Sequence, residues 1–219
     1  MAGASWPSEG CAAWSGEGRR EETGVRVAVV GAHGVGKSTL SGELGRRTGL
    51  AVPGLDAMRD PVGSPPRSLL ECTEAEVLQL SLRRYAQRVE QESATPDMIS
   101  DGSVLHEWVY AAVRLRRQAL SGARQDGVLR DVVDGFLREA CARAARTYDL
   151  FLLLPVRFPL PPEDRPVSES FRAEAEALTR ETTAETGVPV HLLDGTVEDR
   201  VAAAASIVGR VRHERVNSP

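Results

Sequence analysis

Apolar residues in this chain follow two patterns: short unbroken runs, and longer segments in which they recur every three or four positions. The run at 25–30 (VRVAVV) is β-branched and stops at a glycine, the form of a parallel strand buried on both faces. Runs at 50–53, 98–100, 150–154 (LFLLL) and 188–193 predict further strands, with LFLLL, bounded by Asp149 and Pro155, in the centre of the sheet. Between the runs, helical spacing predicts helices over 38–47, 74–92, 104–120, 128–146, 169–185 and 197–211. The helix that begins after Thr73 carries a capping-box pair, Thr73 with Glu76, and an apolar face of Val77, Leu80, Leu82, Tyr85 and Val89. Strands alternating with helices predict an α/β fold of three layers, a five-stranded parallel sheet flanked by helices.

Residues 1–23 combine glycine, small residues and charges without any period, so they predict a flexible tail in which Trp6 and Trp14 are incidental, with the anchoring of a partner as the alternative. A single domain is expected over 24–213, with a flexible C-terminus at 214–219. The hydrophobic share of 42 % is enough for a core. A formal net charge of -4 lacks the basic balance that phosphate-backbone binding demands, so nucleic acid is not the expected partner. Cys11, Cys72 and Cys141 stand too far apart for a zinc-ligand spacing and are odd in number, which fits a reducing compartment. No apolar stretch nears the roughly 20 residues that span a bilayer, so a cytoplasmic protein is expected.

The first strand runs straight into Gly31-Ala32-His33-Gly34-Val35-Gly36-Lys37-Ser38, which satisfies G-x-x-x-x-G-K-[ST] and is followed by a helix, the context that motif requires. Glycines let the backbone curl so that successive amides face phosphate oxygens, and the helix behind adds the positive end of its dipole. Lys37 is expected on the β- and γ-phosphates of ATP or GTP, Ser38 on magnesium, and Thr39 at the edge of the same loop. His33 lies within the loop, as a spectator or a partner-facing residue. Lysine and arginine together number 27, and Lys37 is the single lysine. A chain that otherwise uses arginine keeps lysine where a compact ammonium meets phosphate.

Asp101 ends the third predicted strand, where parallel sheets present ligand-facing residues. It is read as a magnesium ligand or a base that orients the nucleophile, with a helix N-cap as the alternative that Ser103 could also fill. His106, Glu107, Trp108 and Tyr110 follow on one helix, with His106 and Tyr110 on a shared face.

The segment ISDGSVLHEWVYA resembles the D-R-S-x-L-D-x-x-x-Y-A segment of nucleoside and nucleotide kinases, particularly AAA-type ATPases similar to the nicotinamide riboside kinase family. YDLFLLLPVRFPLPPEDR resembles the strand and lid of the same group, and VHLLDGTVEDRV its last strand and turn, so the resemblance covers 25 to about 205. It implies ATP with Mg2+ and a nucleoside-like acceptor. It also implies that Asp101 supplies the acid of D-R-S, that Asp56 in Asp56-Ala57-Met58-Arg59 faces the acceptor, and that Arg165 of the lid, with Arg157 and Arg172 near it, reaches the phosphates. Gly195-Thr196 resembles the turn that cups adenine, although a capped strand-to-helix turn explains it equally. Where the resemblance expects an arginine, this chain has Gly102, and the later Asp appears as His106. A small-molecule kinase is the leading expectation, with an ATP-hydrolysing or nucleotide-sensing switch as the alternative.

Overall fold

The computed structural model describes residues 24–55, 72–120, 127–160 and 167–216. The N-terminal tail, Asp56, Arg59 and Arg165 lie outside the described residues. Strand β1 (Arg26–Val30) is buried along its whole length, as is β3 (Leu150–Leu153). They pair in parallel, with β2 (Met98–Asp101) on the far side of β1 and β4 (Val190–Leu192) on the far side of β3. The order β2-β1-β3-β4 sends the chain to one side of β1 and then to the other. That reversal opens a crevice at the carboxyl ends of the strands, where open parallel sheets bind ligands.

The sheet has four strands among the described residues, not the expected five. The run at 50–53 pairs only through Ala51, whose carbonyl accepts from the N–H of Ile99 (2.8 Å) on the outer edge of β2. Pro53 has no N–H to continue the ladder and Gly54 follows it, so a single bridge forms instead of a strand.

Helices α1 (Lys37–Thr48), α2 (Glu74–Ser93), α3 (Val104–Leu120), α4 (Gly127–Thr147), α5 (Glu169–Glu185) and α6 (Val197–Val216) cover the sheet. The start of α2 is set locally, since the Glu76 N–H donates to Thr73 Oγ1 (3.3 Å) and the Thr73 N–H donates to Glu76 Oε2 (2.7 Å). Its buried face differs from the apolar spacing. Val77, Leu80, Ser81, Arg88 and Glu92 face inward, whereas Leu82 is exposed. α6 continues past residue 211 to Val216, where Arg215 donates to the Gly24 carbonyl (3.0 Å) and pairs with Asp149. The core runs through β1, β3 and the inward faces of α3 to α6, with Trp108 and Phe151 among its largest members.

Candidate functional site

The carboxyl ends of β1 and β2 lie side by side because Val29 is in register with Asp101 and the Gly102 N–H donates to the Val29 carbonyl (2.9 Å). The loop from Gly31 to Gly36 leaves β1 at this point. Its turn uses φ of 73° at Gly34 and 94° at Gly36, a region that side-chain-bearing residues rarely enter. At Gly34 a β-carbon would also collide with Leu160, while beside Gly36 the space is open.

Gly36 stands at the N-cap of α1 and offers no side chain, and the first turn holds no acid. By contrast α2 and α5 are capped by Thr73 and Ser168. The first amides of α1 are therefore left for an anion, as their dipole favours. Lys37 reaches back so that its Nζ donates to the Ala32 carbonyl (2.8 Å). Burial pushes its pKa down to about 8, opposed first by the carboxylate of Asp101. Ser38 and Thr39 are exposed on the same turn.

Ser103, not Asp101, occupies the position immediately before α3, which leaves the Asp101 side chain free of the capping role. In the first turn of α3, His106 is buried with Nε2 2.8 Å from the Gly31 carbonyl, and its Nδ1 accepts from the Ser103 N–H (3.2 Å). This pairing places the ring proton on Nε2. Burial pushes the imidazole pKa down to about 3, so it stays neutral. Tyr110 stacks beside it at 6.3 Å between ring centroids and meets Phe171 of α5 at 5.5 Å.

Behind Asp101 lies a buried charge network that sequence reasoning missed. The Arg88 guanidinium donates to Glu107 Oε1, to Ser100 Oγ (2.8 Å) and to the Asp101 carbonyl (3.2 Å). Arg84 donates to the other Glu107 oxygen (3.2 Å), and the Tyr148 hydroxyl donates to Glu92 (2.9 Å). The available signal was spacing, since Arg84, Arg88 and Glu92 continue the phase of Leu80 at steps of four.

On the other side of the loop a cavity of about 730 Å³ runs between Gly34, Thr39, Phe158, Thr196 and Arg200. Arg172 of α5 is buried in its wall and donates through Nε to the His33 carbonyl (2.9 Å). Arg200 of α6 donates through Nη1 to the Val35 carbonyl (3.3 Å), and its Nε is buried with no hydrogen-bond partner among the described residues. Arg157 pairs with Asp194 at the rim. Thr196 closes a reciprocal cap with Asp199, whose N–H donates to Thr196 Oγ1 (3.2 Å).

Residues 26–200 match the AAA domain family. The chain belongs to that family. No curated protein matches it by sequence. This AAA domain shares its fold with deoxyadenosine kinase from M. mycoides. The form with bound dCTP has a TM-score of 0.65 at 14% identity, over 85% of this chain and 100% of that one. The form with bound dATP has a TM-score of 0.63 at 15% identity, over 84% and 100%. The form with the products dCMP and a flexible dCDP has a TM-score of 0.62 at 15% identity, over 85% and 100%.

Within the AAA domain, Gly31, His33, Gly34, Val35, Gly36, Lys37, Ser38, Thr39 and Asp101 gather at the crevice, and Thr196 stands across the cavity from Thr39. Trp108 is core, with its Nε1–H donating to the Val133 carbonyl (3.0 Å). Among the described residues no helix is long and apolar enough to cross a membrane.

Proposed function

We propose that this AAA domain transfers the γ-phosphoryl group of ATP to a hydroxyl of a nucleoside-like acceptor. The observation that carries the reading is the side-by-side ending of β1 and β2: the chain's single lysine stands in the phosphate loop that leaves β1, and Val29 of β1 is in register with Asp101 at the end of the neighbouring strand. A lone phosphate loop serves binding or hydrolysis equally well. An acid at its flank, backed by the buried Arg88, supplies the group that holds an acceptor hydroxyl in line and takes up its proton. Where the resemblance expects an arginine at 102, the Arg88 guanidinium from α2 fills the space beside Gly102 and donates to the backbone carbonyl of Asp101.

The site fits the nucleotide. Uncapped amides of α1 and the Lys37 ammonium both ask for an anionic partner. Among the described residues no cluster of three or more His, Cys, Asp or Glu could hold a metal ion. Magnesium would therefore be shared between Ser38, Asp101 and phosphate oxygens, as that ion prefers, and when bound it neutralises charge on the transferring group. The cavity between Phe158 and Thr196 suits the donor base.

The test is an acceptor screen with γ-labelled ATP and magnesium over nucleosides and nucleoside monophosphates. Label on an acceptor is the expected result. Label in free phosphate alone would replace the proposal with an ATPase, and nucleotide binding without either product would replace it with a binding module.

A further inference from the structure

Along the phosphate loop the carbonyl oxygens are taken up almost one after another by groups of other elements. Gly31 O accepts from His106 Nε2 (2.8 Å), Ala32 O from Lys37 Nζ (2.8 Å), His33 O from Arg172 Nε (2.9 Å) and Val35 O from Arg200 Nη1 (3.3 Å). Gly36 O accepts from the Leu40 N–H (3.0 Å) within α1. The peptide unit is planar and trans, so each carbonyl points opposite to the N–H of the next residue. Tying the carbonyls of His33 and Val35 to the surrounding wall therefore turns the amides of Gly34 and Gly36 the other way. A cation on the carbonyl also polarises that peptide and makes its N–H a stronger donor.

We infer that Arg172 and Arg200 are positioning residues that hold the phosphate loop in its anion-binding shape before nucleotide arrives, for the di- or triphosphate chain of the ligand. The inference rests on reading the loop as a phosphate site, and it does not depend on the kinase reaction. Arg172 is built for such a task. Its side chain is only 2% exposed, its Nη1 donates to the Phe158 carbonyl (3.0 Å) and pairs with Glu169, and it fixes the segment whose Leu160 covers Gly34. Arg200 adds a single bond to the Val35 carbonyl from α6, which starts at the Thr196 cap across the cavity. Two helices remote in sequence thus set the backbone that a flexible glycine-rich turn could not set alone.

The experiment uses the full chain with Arg200→Met, Arg172→Met and Arg172→Lys. Two readouts are taken without acceptor: amide exchange at Gly34 and Gly36 in the nucleotide-free protein, and calorimetric binding of tripolyphosphate, ADP and ATP. Each Met variant is expected to speed exchange at these amides and to weaken all three ligands by a similar factor, about 10- to 100-fold for a charge-assisted hydrogen bond. Arg172→Lys should not restore affinity, because one ammonium cannot serve two carbonyls and Glu169 in that geometry. Arg200 is less buried than Arg172, so Arg200→Met decides the matter if Arg172→Met does not fold. Unchanged exchange overturns the inference. So does a loss confined to ATP, which would mark a direct γ-phosphate contact, or a loss that spares tripolyphosphate, which would mark a base contact. A wild-type chain that binds none of the three overturns the phosphate-loop reading and this inference with it. Failure of the acceptor screen leaves both readouts standing.

Discussion

A β-carbon on Gly102 would lie 3.0 Å from Nη2 of Arg88, so the guanidinium from α2 fills the space beside residue 102. Gly102 holds φ at 94°, which adds backbone strain to any substitution there. Gly102→Ala should therefore cost about 2 kcal/mol, from the left-handed backbone and the displaced Arg88. A fall in melting temperature of about 4–8 °C is expected, on the scale of 2–4 °C per kcal/mol for a chain of this size. An unchanged melting temperature would show that the turn relaxes without strain.

Removing the other member of that pair should do more harm. Arg88→Met leaves the carboxylates of Glu107 and Glu92 buried, with Arg84 as the remaining cation on Glu107. Breaking a buried pair from one side typically costs about 3–5 kcal/mol. Chemical denaturation should register a loss of that size. A loss below about 1 kcal/mol would show that the Arg88 guanidinium does not hold this network together.

Lys37 has a folded-state pKa of about 8 against an ordinary 10.5, so near pH 8.5 a substantial share of it is neutral in the nucleotide-free protein. Phosphate beside the ammonium raises that pKa, and ATP binding at this pH should take up a fraction of a proton. Calorimetry in two buffers of different ionisation enthalpy measures the uptake directly. The same shift sets a sign for stability. Between pH 8 and 10.5 the unfolded chain binds more protons than the folded one, so the Lys37 contribution improves as pH rises through that window. Lys37→Ala should keep the fold, lose proton uptake and bind ATP far more weakly. Heats that do not depend on the buffer would refute the neutral fraction.

Asp101→Asn separates chemistry from binding. The amides of α1 and the Lys37 ammonium should retain most of the affinity for ATP. Turnover should fall about 10²- to 10⁴-fold, the usual worth of a positioned base. Ser103, not Asp101, precedes α3, so the melting temperature should hardly move. Wild-type turnover in this variant would remove Asp101 from the reaction.

His106 should make itself felt in acid. Its folded pKa of about 3 lies below the ordinary 6.5, so between those values the unfolded chain binds the extra proton. Stability linked to His106 is complete above pH 6.5 and is lost as pH falls towards 3. His106→Gln, which retains a donor for the Gly31 carbonyl, should flatten this part of the stability curve while keeping ATP affinity within a few-fold. An acid limb as steep as in the wild type would assign it to other groups.

What the sequence by itself determined is local. A β-branched run stopping at Gly31, glycines at the positive-φ positions Gly34 and Gly36, Lys37 with Ser38, and the Thr73–Glu76 cap all act within a few residues, so their spacing carries the answer. The boundaries of α3 and α5 were legible for the same reason, through period and capping. The strand count was not, because pairing of the 50–53 run depends on what stands beside β2, and Pro53 limits it to Ala51. Arg157, Arg172 and Thr196 of the site's wall were named from the resemblance, but Arg200 and the carbonyls that the arginines hold were hidden. Arg172 meets the His33 carbonyl across 139 positions of sequence, and Arg200 meets that of Val35 across 165. In a chain with arginine nearly everywhere, no local pattern marks which guanidinium is buried against a particular carbonyl. Only the packing of α2, α5 and α6 around the sheet brings Arg88 behind Asp101 and brings Arg172 and Arg200 to the loop carbonyls.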